Sequence, residues 1–210
     1  MIELDKNNTL KLPDAQAIKD IVSSLVKPKL IVEVGTWKGH SASIIAAIIK
    51  PNGVLYCVDH WEGDKVSGFD KVAEKEDIFS AFRQNMKELG LWDVIHVMYM
   101  SSLDAARVFK DDCLDMVFID ANHSYKSVFE DIVAWYPKLK IGGILCGHDY
   151  FDVDRPGHGH VGVTTAIKET IGRDVELQTA EITATHREKE MTKTAQTCVW
   201  KHIKKVKCLL

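Results

Sequence analysis

Leu30-Ile31-Val32-Glu33-Val34-Gly35-Thr36-Trp37-Lys38-Gly39-His40-Ser41 decides the fold. Leu30 to Val32 is an apolar run of the kind buried in a parallel sheet. Glu33 closes it, and Gly35 and Gly39, four apart, turn the chain into a helix. This strand–acid–glycine turn–helix unit is how a doubly wound α/β sheet builds a nucleotide-like pocket at its strand ends. An acid at the strand end suits a cationic ligand better than a phosphate.

Outward from this unit, the pattern repeats. Before it, Ala15, Ile18, Ile21, Val22 and Leu25 fall on one stripe, predicting a helix over Pro13 to Val26 that covers a pocket or an edge. After it, Lys38 to Lys50 reads as a helix that is apolar nearly all round, stopped by Pro51-Asn52-Gly53. Strands are predicted over Val54 to Val58, Val94 to Met100, Met116 to Ile119 and Ile144 to Cys146. Helices are predicted over Glu74 to Leu89, Leu103 to Phe109, Ser124 to Leu139 and Val163 to Ile171, with Ser124 an N-cap. Val175 to Ile203 reads as two more strands around a polar loop, Thr183 to Thr194.

Alternating strands and helices imply a mostly parallel sheet with helices on both faces. Right-handed crossovers bring every parallel strand's C-terminus to one rim. Asp59, Ser101, Asp120 and Asp149 all fall at predicted strand ends and share that rim with Glu33 and Gly35. The chain is expected to be a single domain over 1–210: a helical cover over 1–28, a core over 29–172 and a strand hairpin over 173–210.

Composition narrows the function. With 46% hydrophobic and 27% charged residues, the 210-residue chain is ordinary for a globular protein. The net charge of −3 gives no basic footprint for nucleic acid. The lysines from Lys201 to Lys207 read as a solvated edge. Five scattered cysteines without a CxxC pair suggest reduced thiols and a cytoplasmic protein. The polar N-terminus does not read as a signal peptide, and no apolar run approaches the roughly 20 residues of a membrane span.

The glycine turn also discriminates between ligands. A dinucleotide loop, G-x-G-x-x-G, needs a second glycine so that the backbone approaches the pyrophosphate. Trp37 stands there instead. The pattern E-x-G-x-x-x-G suits a ligand without a pyrophosphate, such as S-adenosylmethionine with its sulfonium and ammonium groups. Asp59, 24 residues after Gly35, is placed to accept hydrogen bonds from ribose hydroxyls. His60 and Trp61 are placed to flank an adenine ring, and Trp61 equally to pack in the core.

The segments EVGTWKGHS, VDHWEGD, FIDANHSYKSVFEDI and PKLKIGGILCGHDY, in that order, resemble class I S-adenosylmethionine-dependent methyltransferases. Within them they look most like the small O-methyltransferases related to macrocin- and cephalosporin-type tailoring enzymes. The resemblance runs from about Leu30 to Ile171. It implies a Rossmann-like, doubly wound, seven-stranded α/β sheet, mostly parallel with an antiparallel C-terminal strand. It also implies cofactor contacts from Glu33, Gly35, Thr36, Gly39 and Ser41, from Asp59 and His60, from Ser101 and Ser102, and from Asp120. The acceptor it implies is a hydroxylated small molecule, a sugar or natural-product glycoside.

Two further expectations concern the acceptor side. Metal-dependent relatives bind a divalent cation through carboxylates at these strand ends, so Asp120, His148 and Asp149 are candidate ligands for magnesium or manganese. An imidazole is a poorer partner for magnesium than for manganese, iron or zinc. Without a metal, His123 or His148 is expected to act as a neutral general base. Gly157-His158-Gly159-His160 reads as a lid rather than a metal loop, and Lys126, Glu130 and Asp131 as a solvated helix face. An NAD(P)-dependent oxidoreductase and a non-catalytic binding protein of the same fold stand as alternatives. The expected partners are a small-molecule acceptor and, left open, a second copy of the chain, with neither nucleic acid nor membrane.

Overall fold

The computed structural model describes residues 10–26, 29–65, 68–151, 162–172, 174–186 and 189–205. Its seven strands are β1 (Leu30–Val34), β2 (Val54–Asp59), β3 (Ile95–Tyr99), β4 (Leu114–Ile119), β5 (Leu139–Gly147), β6 (Glu176–His186) and β7 (Lys189–Ile203). They form one sheet in the order β3-β2-β1-β4-β5-β7-β6. The first five pair in parallel, and β7 pairs antiparallel with both β5 and β6. The doubly wound sheet with an antiparallel C-terminal hairpin is thus as expected. The strand order reverses between β1 and β4, and such a switch point opens a crevice beyond the carboxyl ends of the strands.

Strand alternation sorts the core into two layers. Ile31, Leu55, Met116 and Phe118 pack with α1 (Leu12–Ser24), α2 (His40–Ile49) and α4 (Ile78–Glu88). Val32, Val34, Val117 and Leu145 pack on the other face with α5 (Ser102–Val108), α6 (Tyr125–Trp135) and α7 (Val163–Thr170). Among the described residues, no helix is long and apolar enough to cross a membrane.

Several element boundaries differ from the sequence reading. The helix expected over Glu74 to Leu89 begins only at Ile78, because Asp77 caps it by accepting from the Ser80 N–H at 2.9 Å. A short separate helix, α3 (Asp70–Ala73), precedes it. The helix expected to reach Leu139 stops at Trp135, where Pro137 enters a single 3-10 turn, and Leu139 already belongs to β5. The polar stretch Thr183 to Thr194 is not a loop: the ladder of β6 and β7 runs on to His186↔Lys189. Its alternating threonines are good strand formers despite their polarity.

The lysine-rich end is also not simply a solvated edge. Lys204 is buried, with its Nζ 2.6 Å from the Leu139 carbonyl and 3.0 Å from Asp112 Oδ1. The Gly157–His160 segment lies outside the described residues.

Candidate active site

The crevice over the switch point is a cavity of about 650 Å³, within the range of small-molecule sites. The glycine turn forms its floor. Gly35, with φ +87°, is pressed so closely onto β4's exit that a Cβ there would lie 2.1 Å from the Asp120 carbonyl oxygen. Only glycine fits this left-handed, crowded position. Trp37 also adopts a left-handed backbone, φ 49°, and its ring packs 4.9 Å from Phe69 at the cavity wall.

The turn's N–H groups do not face the cavity as an anion cradle. Thr36 N and Trp37 N both donate to Asp59 Oδ2, at 2.9 and 2.8 Å. Asp59 Oδ1 accepts from Trp61 N at 2.7 Å. Asp59 therefore ties the end of β2 to the turn. A carboxylate has about four acceptor positions, so roughly one remains for a ligand hydroxyl. Trp61 settles as core: it is buried among Phe79, Phe82 and Tyr99, and its indole donates to the Trp37 carbonyl.

Eleven of the thirteen site residues named from the sequence line the cavity: Gly35, Thr36, Ser41, Asp59, His60, Ser101, Ser102, Asp120, His123, His148 and Asp149. Glu33 and Gly39 do not, and each has a physical reason. Glu33 shares the parity of Ile31 on β1, so its side chain turns under the sheet toward α2, beside Cys57. It is fully buried, and burial pushes its carboxyl up to about 8 against the Ser41 and Thr36 hydroxyls beside it. Its Oε1 has no hydrogen-bond partner. Gly39 serves helix packing: at φ +90° it starts α2, and a Cβ there would lie 2.7 Å from Met86 Cε.

At the end of α5's approach, Ser101 caps α5 by accepting from Asp104 N at 3.2 Å. Ser102 donates to Asp131 and accepts from the Trp135 indole at 2.9 Å. Asp131 is not on a solvated face. It is buried in the cavity wall, and burial raises its carboxyl to about 7. Lys126 of the same helix does remain outward, 3.8 Å from Glu130, which itself also lines the cavity.

Beyond the β4 and β5 ends, the cavity wall is a chain of acids and imidazoles. His123 Nε2 lies 3.0 Å from Asp149 Oδ2 and 3.7 Å from Asp120 Oδ1. Burial alone lowers an imidazole's pKa, but the two carboxylates outweigh it and push His123 up to about 10. On its other oxygen, Asp149 Oδ1 lies 3.2 Å from His148 Nδ1. Burial raises Asp149, yet His123 and His148 together hold it well below the usual carboxylate range. His148 is buried too, and Asp14, Asp149 and Cys198 around it keep it well above an ordinary histidine. The surrounding carboxylates thus favour the protonated form of both rings over the neutral base expected at His123 or His148.

Asp120, His148 and Asp149 do converge, each offering a donor atom within 4.8 Å of the others. The imidazole of His123, however, already stands against both carboxylates, at 3.7 and 3.0 Å. Asp14 and Cys198 escaped the sequence reading altogether. Asp14 falls four residues before Ile18 on the stripe that α1 buries, and an acid on an apolar stripe was the available signal.

A family model described as a methyltransferase domain matches residues 32–150. Solved structures share the fold at low identity. An S-adenosylmethionine-dependent O-methyltransferase from Thermotoga maritima has a TM-score of 0.61 at 12% identity, over 92% of this chain and 65% of that one. The chain thus spans just under two thirds of that protein's length. The O-methyltransferase TomG from Streptomyces achromogenes, solved with S-adenosylmethionine and involved in tomaymycin synthesis, has a TM-score of 0.63 at 17% identity, over 95% and 83%. A putative rRNA-methylase from Clostridium thermocellum has a TM-score of 0.59 at 14% identity, over 92% and 96%. These likenesses carry the fold, and the model match, from Val32 to Tyr150, takes in more than half of the chain: it belongs to the methyltransferase-domain family.

Proposed function

We propose that this protein is an S-adenosylmethionine-dependent methyltransferase acting on a hydroxyl of a small molecule, of the sugar or natural-product glycoside type. One observation carries the choice of cofactor. The turn's Thr36 and Trp37 N–H groups are spent on Asp59. A pyrophosphate needs such groups turned toward it. What the turn and rim offer instead is carboxylate, at Asp59 and Asp120, which suits sulfonium and ammonium charges. This argues against the NAD(P)-dependent alternative.

The cofactor supplies an electrophilic methyl group on sulfonium, so the protein's work is mainly positioning and charge. The Gly35–Trp37 turn, Ser41, His60 and Ser101 would hold the donor, with Asp59 taking one ribose hydroxyl. Asp120 and His123 face the same cavity and would hold the acceptor hydroxyl. Asp120, the more exposed carboxylate of the cluster, accepts the hydroxyl proton as the oxygen is methylated. His123, fixed by Asp149, would hydrogen-bond the acceptor oxygen and favour loss of its proton to Asp120; the oxygen's electron pair then forms the O–CH3 bond as the S–CH3 bond breaks, leaving a neutral thioether. No step is assigned to a cation between Asp120 and Asp149, because His123 occupies their shared face.

A small-molecule acceptor fits the net charge of −3 and the acidic wall better than a nucleic acid does. The same reading puts the protein in the reducing cytoplasm, in keeping with free thiols at Cys57, Cys113, Cys146 and Cys198. Calorimetric titration with S-adenosylhomocysteine and, separately, NADH tests the cofactor. Binding of the first alone is expected, and binding of NADH alone would overturn the proposal. Transfer of labelled methyl to a panel of glycosides against ribosomal RNA then tests the acceptor class.

A further inference from the structure

Asp14, His148 and Cys198 meet in the cavity from three separate elements, α1, the exit of β5 and β7. Asp14 is 3% exposed and His148 9%, so two polar side chains are withdrawn from water and face the cavity. His148 Nε2 lies 3.1 Å from Cys198 Sγ and 3.6 Å from Asp14 Oδ2. Cys198 Sγ lies 3.6 Å from Asp14 Oδ1. The two edges to Asp14 end on different oxygens of its carboxylate, and one donor atom from each residue lies within 4.8 Å of the other two.

Those spacings are close to the ligand–ligand edges of a tetrahedral metal site. Bonds of ~2.0–2.3 Å to oxygen, nitrogen and sulfur at tetrahedral angles put neighbouring ligand atoms about 3.3–3.6 Å apart. The donor set is also selective. A carboxylate, an imidazole and a thiolate form a borderline-soft set that disfavours magnesium and calcium and suits zinc-like ions. Carboxylate and thiolate together carry two negative charges, which balance a divalent cation.

The other ring nitrogen of His148 strengthens the case. Its Nδ1 lies 3.2 Å from Asp149 Oδ1. A metal-bound imidazole characteristically donates its second N–H to a carboxylate, which fixes the ring and raises its basicity. Asp149 stands in that supporting place, and His123 holds Asp149 from its far oxygen. The backbone contributes too: Cys198 N donates to Asp14 Oδ1 at 3.0 Å, so the carboxylate is oriented before any ion arrives.

We propose that Asp14, His148 Nε2 and Cys198 form a three-ligand site for a thiophilic divalent cation of the zinc type, with the fourth position open to the cavity. The site is distinct from the Asp120–Asp149 face, since it uses the opposite nitrogen of His148. It does not rest on the methyl-transfer reading, because binding of the ion is read directly.

The test uses the full-length protein, stripped of metal by a chelator and titrated with cobalt(II). One equivalent is expected to bind, with a thiolate-to-cobalt charge-transfer band in the near ultraviolet and the strong visible bands of tetrahedral cobalt. Zinc should displace it. Cys198→Ser should abolish the charge-transfer band, Asp14→Asn should weaken cobalt binding at least ~10-fold, and Asp120→Asn should leave the band in place. The absence of the band in the unmodified protein, or its survival in Cys198→Ser, overturns the proposal. Should Cys198→Ser fail to fold, alkylation of the unmodified protein decides: zinc should protect Cys198 and not Cys113. Equal alkylation of Cys198 with and without zinc overturns it.

Discussion

His123 Nε2 stands 3.0 Å from Asp149 Oδ2, inside a cavity wall where both side chains are largely withdrawn from water. The pair joins the helix after β4 to the end of β5, and Asp120 adds a second carboxylate at 3.7 Å. His123→Ala is expected to lower methyl transfer by about 10²- to 10⁴-fold with little change in affinity for S-adenosylhomocysteine. Losing a hydrogen bond to a charged group should also cost about 1.5–3 kcal/mol of stability. Steady-state kinetics, titration with S-adenosylhomocysteine and denaturant melts separate the two effects. Undiminished turnover in the folded variant removes His123 from the reaction.

The same pair gives stability a pH signature. His123 rises from an ordinary 6.5 to about 10 in the folded chain, so its contribution is complete below 6.5 and is lost as pH climbs through about 10. Asp149 is lowered from 3.8, so its contribution is present above that value and lost as pH falls. The melting-temperature difference between the unmodified protein and His123→Ala should be greatest between those ordinary values and shrink on going to pH 10. The measurement is made in the presence of a chelator. A difference that stays flat across the alkaline range contradicts the ion pair.

Gly35 and Gly39 should fail differently when changed to alanine. At Gly35 a methyl meets backbone, 2.1 Å from the Asp120 carbonyl, so the turn and the β4 exit must part. Loss of both stability, by more than ~2 kcal/mol, and of S-adenosylhomocysteine binding is expected. At Gly39 the methyl meets the Met86 and Phe82 side chains, which yield more readily. There the stability loss should persist while most of the binding survives. Equal loss of binding in the two variants would place Gly39 in the cofactor site after all.

Glu33 makes the opposite kind of prediction. Burial lifts its carboxyl from 4.5 to about 8, so the folded chain keeps a proton that the unfolded chain releases. It therefore weakens the fold as pH rises from 4.5 to about 8, by up to ~1.4 kcal/mol per pH unit. Glu33→Gln should be more stable than the unmodified protein at neutral pH, with no gain at pH 4. Its affinity for S-adenosylhomocysteine should be unchanged, because the carboxyl does not reach the cavity. A large drop in affinity would return Glu33 to the binding site.

The sheet was legible because its signals are local. Apolar runs such as Leu30 to Val32, ended by an acid or glycine, mark a parallel strand whatever lies elsewhere. The rim followed from topology, since right-handed crossovers carry Asp59, Asp120 and Asp149 to one side. What escaped depends on partners distant in the chain. Glu33 and Asp59 are both strand-end acids, and only the parity of one and the backbone donors around the other separate their roles. Asp131 looked solvated because Lys126 on the same helix is, yet Ser102, itself held by the Trp135 indole, draws it inward. The charge of His123 was equally invisible, for it depends on two carboxylates arriving from β4 and β5.

Asp14 and Cys198 are 184 residues apart and share a hydrogen bond. Contacts of such separation close the largest loops and reward the chain only after that entropy has been spent. The glycine turn, β2 and β4 can assemble while the last strand is still being synthesised. The acid–imidazole–thiol corner cannot. A nascent or truncated chain would thus carry the glycine turn and the strand-end acids without this corner, which forms only when β7 docks. The corner is therefore the part of the cavity wall that depends most on the order of the strands.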